Sequence, residues 1–257
     1  MKKNHNFFSN LAFNIAEINL GKTKSNPSVG CIVTKNNSVI STGVTSVKGR
    51  PHAEYNALNS KCNFSGSSMY LTLEPCTHYG ITEPCTNIIK KKKIKSVYYC
   101  FNDPDKRTFK KASTELNKNK ILNKKIKHNF KDFYNSYFIK RKKNFPLIDA
   151  KIAVSKEFKT INKKSKWITN YRSRKVGHLL RSRYDSIIST SKTINKDNAL
   201  LNCRIDGLNK YSPDIIIIDI DLRIKTNLKI FNLEKKRKIY LFTSKYNKNI
   251  FDFLKRK

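Results

Sequence analysis

His52-Ala53-Glu54, Glu74-Pro75-Cys76 and Pro84-Cys85 place one imidazole, two thiols and a free carboxylate within one short stretch of the chain. Imidazole nitrogen and thiolate sulfur are donors that zinc takes readily. A catalytic zinc keeps three protein ligands and leaves the fourth corner of its tetrahedron open. His52, Cys76 and Cys85 supply three donors, and Glu54 remains as a carboxylate able to take and return a proton. A closed structural zinc would ask for a fourth ligand and for tight Cys-x2-Cys pairs. Cys76 and Cys85 stand instead in a Cys-x8-Cys spacing. The pattern points to hydrolytic chemistry at a metal. The bland alternative is a satisfied polar histidine beside two small buried thiols.

A His/Cys/Cys zinc with a glutamate two residues after the histidine, and a proline before a cysteine ligand, is the signature of zinc deaminases that act on nucleobase-like rings. Zinc in such a site activates water, Glu54 moves the protons, and the exocyclic amine leaves as ammonia.

The elements that must position these groups follow from hydrophobic periodicity. Phe8, Leu11, Ile15 and Ile18 recur near 3.6 spacing and predict a helix over 7–20. Strands are predicted over 29–34 and 39–44, joined by an Asn36-Asn37 turn. A helix then starts near His52, a strand over 69–73 ends at Pro75-Cys76, and Cys85 opens a helix over 86–92. A thiolate at a helix N-terminus is favoured by the helix dipole. Further predictions are a strand over 96–101, a helix over 108–116, a strand over 126–130 and a helix over 133–141. Lys140-Arg141-Lys142-Lys143-Asn144 holds no apolar residue and reads as a linker. It divides a zinc-binding domain, 1–144, from a second domain, 145–257. Beyond it, strands are predicted over 146–154, 185–190, 213–218 and 238–243, the middle two as strands buried on both faces. Helices are predicted over 171–184 and 249–254. The alternation argues an α/β sandwich with helices on both faces of a sheet, the site lying beyond the strand ends.

Composition bounds the rest. The 257 residues carry 54 Lys+Arg against 18 Asp+Glu, a formal charge of +36. That field suits an anionic partner. The lysines are spread along the chain and not gathered in a stripe, so the charge reads first as compositional bias toward Lys, Asn and Ile, with nucleic acid a minority partner; a phosphorylated small substrate would also be attracted. The six cysteines read as reduced thiols, with Cys31 and Cys100 as packing residues in strands. No run of eighteen apolar residues and no signal-peptide pattern occurs, which leads to the expectation of a cytoplasmic protein without a membrane span.

Three stretches resemble one family closely. They are 23–30 (Thr-Lys-Ser-Asn-Pro-Ser-Val-Gly), His52-Ala53-Glu54, and 73–80 (Leu-Glu-Pro-Cys-Thr-His-Tyr-Gly) with Pro84-Cys85. The family is the bifunctional riboflavin-biosynthesis deaminase-reductase; the wide Cys spacing and the His-Tyr-Gly insert set it apart from cytidine and tRNA deaminases. Stretches at 145–151, 165–169, 184–188 and 197–204 resemble, more loosely, its reductase domain. The resemblance implies a cytidine-deaminase-like three-layer sandwich followed by a partial dihydrofolate-reductase-like α/β domain. It implies deamination of 2,5-diamino-6-(5-phosphoribosylamino)pyrimidin-4(3H)-one to 5-amino-6-(5-phosphoribosylamino)uracil. By the same resemblance Asn26 and His78 bind that substrate. In the second domain it assigns Trp167, Thr193 and Asp197 to NADPH, and Lys151, Ser165, Arg181, Leu201 and Arg204 to the reductase substrate. Three departures stand out: Ile81 replaces a Lys or Arg near the substrate, Asp103-Pro104-Asp105-Lys106 replaces Asp-Pro-Asn-Pro, and Ala199 replaces a Pro. The family's later Gly-rich cofactor turn is not in the 257 residues. The expectation is therefore an impaired reductase, or one completed in trans by a second copy or a separately encoded remainder. The alternative is a fully bifunctional enzyme.

Overall fold

The computed structural model describes residues 4–160, 167–232 and 237–255. They fall into two compact units, Met1–Asp149 and Ala150–Lys257.

In the first unit, helix α1 (His5–Glu17) precedes the hairpin β1 (Gly30–Lys35) and β2 (Ser38–Val44). Helix α2 (Ala53–Leu58), strand β3 (Ser68–Leu73), helix α3 (Cys85–Lys91) and strand β4 (Ser96–Phe101) follow. Helix α4 (Lys111–Lys118), strand β5 (Leu122–Lys125) and helix α5 (Asn135–Lys143) complete it. The sheet order is β2-β1-β3-β4-β5, with β1 antiparallel to β2 and β3, and β3, β4 and β5 parallel.

Two glycines show how the layers form. Successive residues of a strand point to opposite faces. A Cβ on Gly30 would meet the Ala12 carbonyl of α1. Gly43 pairs with Cys31, the next residue along β1, and a Cβ there would meet the α2 backbone at Ala53 and Ala57. Helices α1 and α2 therefore cover opposite faces, giving the three-layer sandwich that was expected. Phe13, Ile32 and Tyr70 fill one side, and Cys31, Val33 and Leu71 the other, all almost fully buried.

Gly43→Ala forces α2 off the sheet, because the obstacle is backbone and not a flexible side chain. It is expected to cost about 1–3 kcal/mol of unfolding free energy in urea titrations. Gly177, inside a helix of the second unit with open space around it, is the control; Gly177→Ala should be neutral or stabilising by up to ~1 kcal/mol.

The second unit holds helix α6 (Tyr171–Arg181), strand β6 (Ser186–Thr190), helix α7 (Ser191–Asp197), strands β7 (Asp214–Ile218) and β8 (Ile239–Phe242), and helix α8 (Lys248–Lys255). Its strands form a parallel sheet in the order β6-β7-β8. Ile194, Ile215, Ile217, Ile224, Leu228, Ile230 and Phe231 make its core.

Four local expectations change. The basic segment read as a linker is the last turn of α5, with Asn144 in the left-handed conformation as its cap (φ 52°). Four cations at a helix C-terminus complement its dipole. The weak strand expected over 126–130 gives way to β5 at Leu122–Lys125, which pairs with β4. No strand forms over 146–154, where Ile148 and Ile152 are exposed. Finally, neither strand read as buried on both faces is so: in β6 Ile188 is exposed, and β7 is buried on one face only, with Ile215 and Ile217 covered while Ile218 is exposed. The unbroken isoleucine run of β7 hides that difference. Among the described residues no helix is long and apolar enough to cross a membrane.

Candidate metal centre and its pocket

Each member of the metal cluster stands at an element terminus. His52 is the N-cap residue of α2, and Glu54 lies in that helix's first turn. Cys76 follows the end of β3, and Cys85 opens α3 behind Pro84, whose φ of −55° suits a helix entry. The ligand atoms of His52, Cys76 and Cys85 all lie within 4.8 Å of one another. His52 Nδ1 is 3.4 Å from Cys85 Sγ and 3.7 Å from Cys76 Sγ. Tetrahedral zinc with ordinary Zn–N and Zn–S bonds sets these separations at about 3.6 Å. The donor set and its spacing therefore fit zinc. The Cys85 amide donates to Cys76 Sγ at 3.2 Å, so the α3 N-terminus turns toward the thiolate.

The Cys85 thiol, donating to Cys76, holds Cys76 down near a pKa of 4, with His52 adding to the effect. Cys85 itself is pushed up, first by that same bond and then by burial. His52 is raised, chiefly by its hydrogen bond to Cys76. Burial pushes the Glu54 carboxyl up to about 7 against the pull of His52. A carboxyl placed there can both accept and donate a proton near neutrality.

The cluster forms one wall of a pocket within the first unit. Asn26 and His78 also line it. Asn26 Nδ2 donates to the Gly49 carbonyl at 2.9 Å, and His78 Nδ1 meets Thr108 Oγ1 at 3.1 Å. The Asn26 loop is tied to the sheet by a relay. The Gly30 amide donates to Thr72 Oγ1, whose hydroxyl meets Tyr134 Oη at 2.6 Å. Tyr134 in turn donates to the Ser28 carbonyl at 2.9 Å.

Several pocket residues were not singled out by sequence reasoning: Arg50, Arg107, Tyr137 and Arg141. Asp105 accepts Arg107 in a fork, with Nε at 3.0 Å and Nη2 at 2.6 Å. Arg141 Nη1 lies 3.6 Å from the same carboxylate. The Arg107 hydrogen bonds hold Asp105 well below the usual carboxylate range. Tyr137 donates to Asp103 at 2.9 Å. Lone arginines in a lysine-rich chain carry no sequence signal; only the Asp103-Pro104-Asp105 departure marked this corner. Glu74, beside Cys76 in sequence, is structural. Its Oε2 accepts Asn102 Nδ2 and the amides of Asp103 and Lys110, and its Oε1 the amide of Ala112, at 3.1–3.2 Å. It orders the 102–112 loop that carries Asp105 and Arg107.

In the second unit the structure brings together Arg181, Arg204 and His178. Arg181 Nη1 donates to the Asn202 carbonyl at 3.0 Å, and Arg204 Nη2 lies 3.1 Å from His178 Nε2. The buried Asn202 Oδ1 has no hydrogen-bond partner among the described residues. Leu201 packs partly on the core, with φ at +51°. Trp167 is half-exposed beneath the Arg174 guanidinium, 4.5 Å from the ring centroid. Thr193 and Asp197 lie exposed on α7, and Lys151 is exposed. Ser165 lies outside the described residues.

Fold and site together define a deaminase-type zinc-binding domain followed by a separate α/β domain. The cytidine and deoxycytidylate deaminase zinc-binding region matches residues 2–101, and the RibD C-terminal domain matches 148–255. The chain is 32% identical over 249 residues to riboflavin biosynthesis protein RibD of Aquifex aeolicus, covering 93% of this chain and 68% of that one. Against the Bacillus amyloliquefaciens protein of the same name it is 30% identical over 223 residues, covering 85% and 60%. It thus spans 60–68% of these two relatives' length. Among solved structures, Acinetobacter baumannii RibD superposes with a TM-score of 0.80 at 26% identity, covering 97% of this chain and 72% of that one. The Thermotoga maritima diaminohydroxyphosphoribosylaminopyrimidine deaminase/5-amino-6-(5-phosphoribosylamino)uracil reductase gives 0.83 at 26%, covering 95% and 70%. The chain belongs to the RibD family of riboflavin biosynthesis, and carries both its deaminase-type and its C-terminal domain.

Proposed function

We propose that the first unit deaminates 2,5-diamino-6-(5-phosphoribosylamino)pyrimidin-4(3H)-one to 5-amino-6-(5-phosphoribosylamino)uracil and ammonia. The observation that carries this reading is a buried Glu54 carboxyl in the first turn of the helix that His52 caps, with His52 part of a His/Cys/Cys tripod of zinc dimensions at the wall of a pocket. His52, Cys76 and Cys85 would hold the zinc. When bound, zinc supplies Lewis-acid activation of water. Glu54 takes a proton from that water and delivers protons to the ring nitrogen and to the departing amine. One water is consumed and one ammonia released. Asn26 and His78 position the substrate from the pocket's other sides. A cytoplasmic location belongs to the same proposal.

A second activity, NADPH-dependent reduction of the ribosyl group to ribityl, has the better support over an impaired reductase. The C-terminal domain match runs over 148–255, and Arg181 and Arg204, gathered around His178, suit an anionic substrate. Trp167 and Thr193 offer a stacking face and a hydroxyl to a dinucleotide. NADPH would supply the hydride. The test is incubation of purified protein with the diamino substrate, with and without NADPH. Ammonia release without NADPH, and NADPH oxidation following it, is the expected result. Ammonia release with no NADPH oxidation would leave the deaminase alone, and neither would reject both.

A further inference from the structure

The pocket beside the metal cluster is lined by three guanidinium groups, and they are not equivalent. Arg107 is bound in a two-pronged fork by Asp105, and Arg141 approaches the same carboxylate while lying over the Tyr137 ring, 5.4 Å from its centroid. Their charge is already partly matched within the protein. Arg50 differs. Among the described residues its hydrogen bond goes to a neutral hydroxyl, Thr82 Oγ1, at 2.7 Å, and no ion pair of the structure includes it. The loop it lies on, 77–82, carries no cation of its own, and Ile81 in that loop points into solvent at 87% exposure. Gly80 leaves the room: a Cβ there would come within 3.3 Å of Arg50 Nη2. The guanidinium is thus held by its Nη1 end on an exposed loop at the pocket, with its remaining donors unspent on any carboxylate.

We propose that Arg50 is the anion anchor of this pocket, the residue that grips the phosphate of the phosphoribosyl group and so sets specificity for phosphorylated substrate. The proposal rests on the deaminase reading above. A guanidinium offers several donors in a fixed fork that matches a phosphate. One bond to Thr82 orients the fork without neutralising it. Arg107 and Arg141, tied to Asp105, would have to break existing ion pairs to serve. Arg50 acts on binding and not on the reacting carbon, so its loss should appear in KM.

The experiment compares the phosphorylated diamino substrate with its phosphatase-treated ribosyl form. Arg50→Ala is expected to lower kcat/KM for the phosphorylated substrate about 10- to 100-fold, nearly all through KM, and to change the dephosphorylated one less than about twofold. Arg50→Lys should recover part of the loss, and Thr82→Val, which keeps the charge but frees it, should fall between. Inorganic phosphate should inhibit the wild type competitively and R50A much more weakly. Lys118→Ala, a charge removal on the far exposed end of α4, should alter neither substrate. Equal losses on both substrates, or no loss on either, would overturn the anchor while leaving the deaminase standing. A wild type that releases no ammonia from either substrate would bring down the deaminase reading and the anchor with it. Circular dichroism and zinc content check each variant's fold; should R50A not fold, T82V and R50K carry the comparison.

Discussion

Glu54→Gln is expected to lower kcat for ammonia release by about 10²–10⁴-fold while zinc content stays near one per chain. The substitution keeps the shape of the side chain and removes its ability to ferry protons. Glu54 is 3% exposed in the first turn of α2, so the amide has no route to solvent and stays beside the cluster. Its carboxyl is already pushed up to about 7 by burial. A neutral amide in that position costs the fold nothing that the protonated acid does not, so thermal stability should hold or rise slightly. Zinc by metal analysis, kcat by ammonia release and Tm by calorimetry separate the three effects. Activity retained within about threefold would move the acid–base role away from Glu54. A loss of zinc along with activity would make Glu54 a metal-holding residue and not a proton carrier.

Cys85→Ser should abolish metal binding and, with it, the metal's contribution to stability. Cys85 is nearly fully buried, closes the tripod from the start of α3, and its amide supports Cys76. A serine hydroxyl is a poor zinc ligand at neutral pH and cannot match the reach of sulfur. A ligand that binds only the folded state stabilises it by RT ln(1 + [L]/Kd), about 4 kcal/mol at a thousand-fold excess over Kd. Removing zinc from the wild type with a chelator should therefore lower Tm by roughly 10 °C. The same chelator should leave C85S unmoved. Secondary structure should survive in both, because the sandwich core of Phe13, Ile32, Leu71, Val97 and their neighbours is complete without the metal. A wild type indifferent to chelation, with no zinc bound, would reject the metal site altogether.

The contrast between these two variants and Arg50 shows where sequence reasoning reaches and where it stops. The tripod and Glu54 were legible because their chemistry demands particular residue types at short separations. His52 and Glu54 share one helix start, and Cys76 and Cys85 sit at the two ends of one strand–loop–helix passage. The alternation that places them was legible for the same reason: apolar periods of two and of 3.6 are local. The strand expected over 146–154 shows the limit, since its residues alternate suitably but find no neighbouring strand to pair with. The basic run at 140–143 shows another, since cations that look like a linker also finish a helix well. In the second unit, the continuous isoleucines of β7 could not reveal which face lay bare.

By itself the amino-acid sequence determined the metal donors, the candidate proton carrier, the family and most of the strands and helices, because each rests on residues near one another along the chain or on a motif. Only the tertiary structure decided which charges remain available. Arg50, Arg107 and Arg141 are indistinguishable as letters among 54 Lys and Arg. Asp105 spends two of them and Thr82 leaves the third unneutralised. Electrostatic availability depends on distances between groups far apart in the chain, and those distances exist only once the chain has folded.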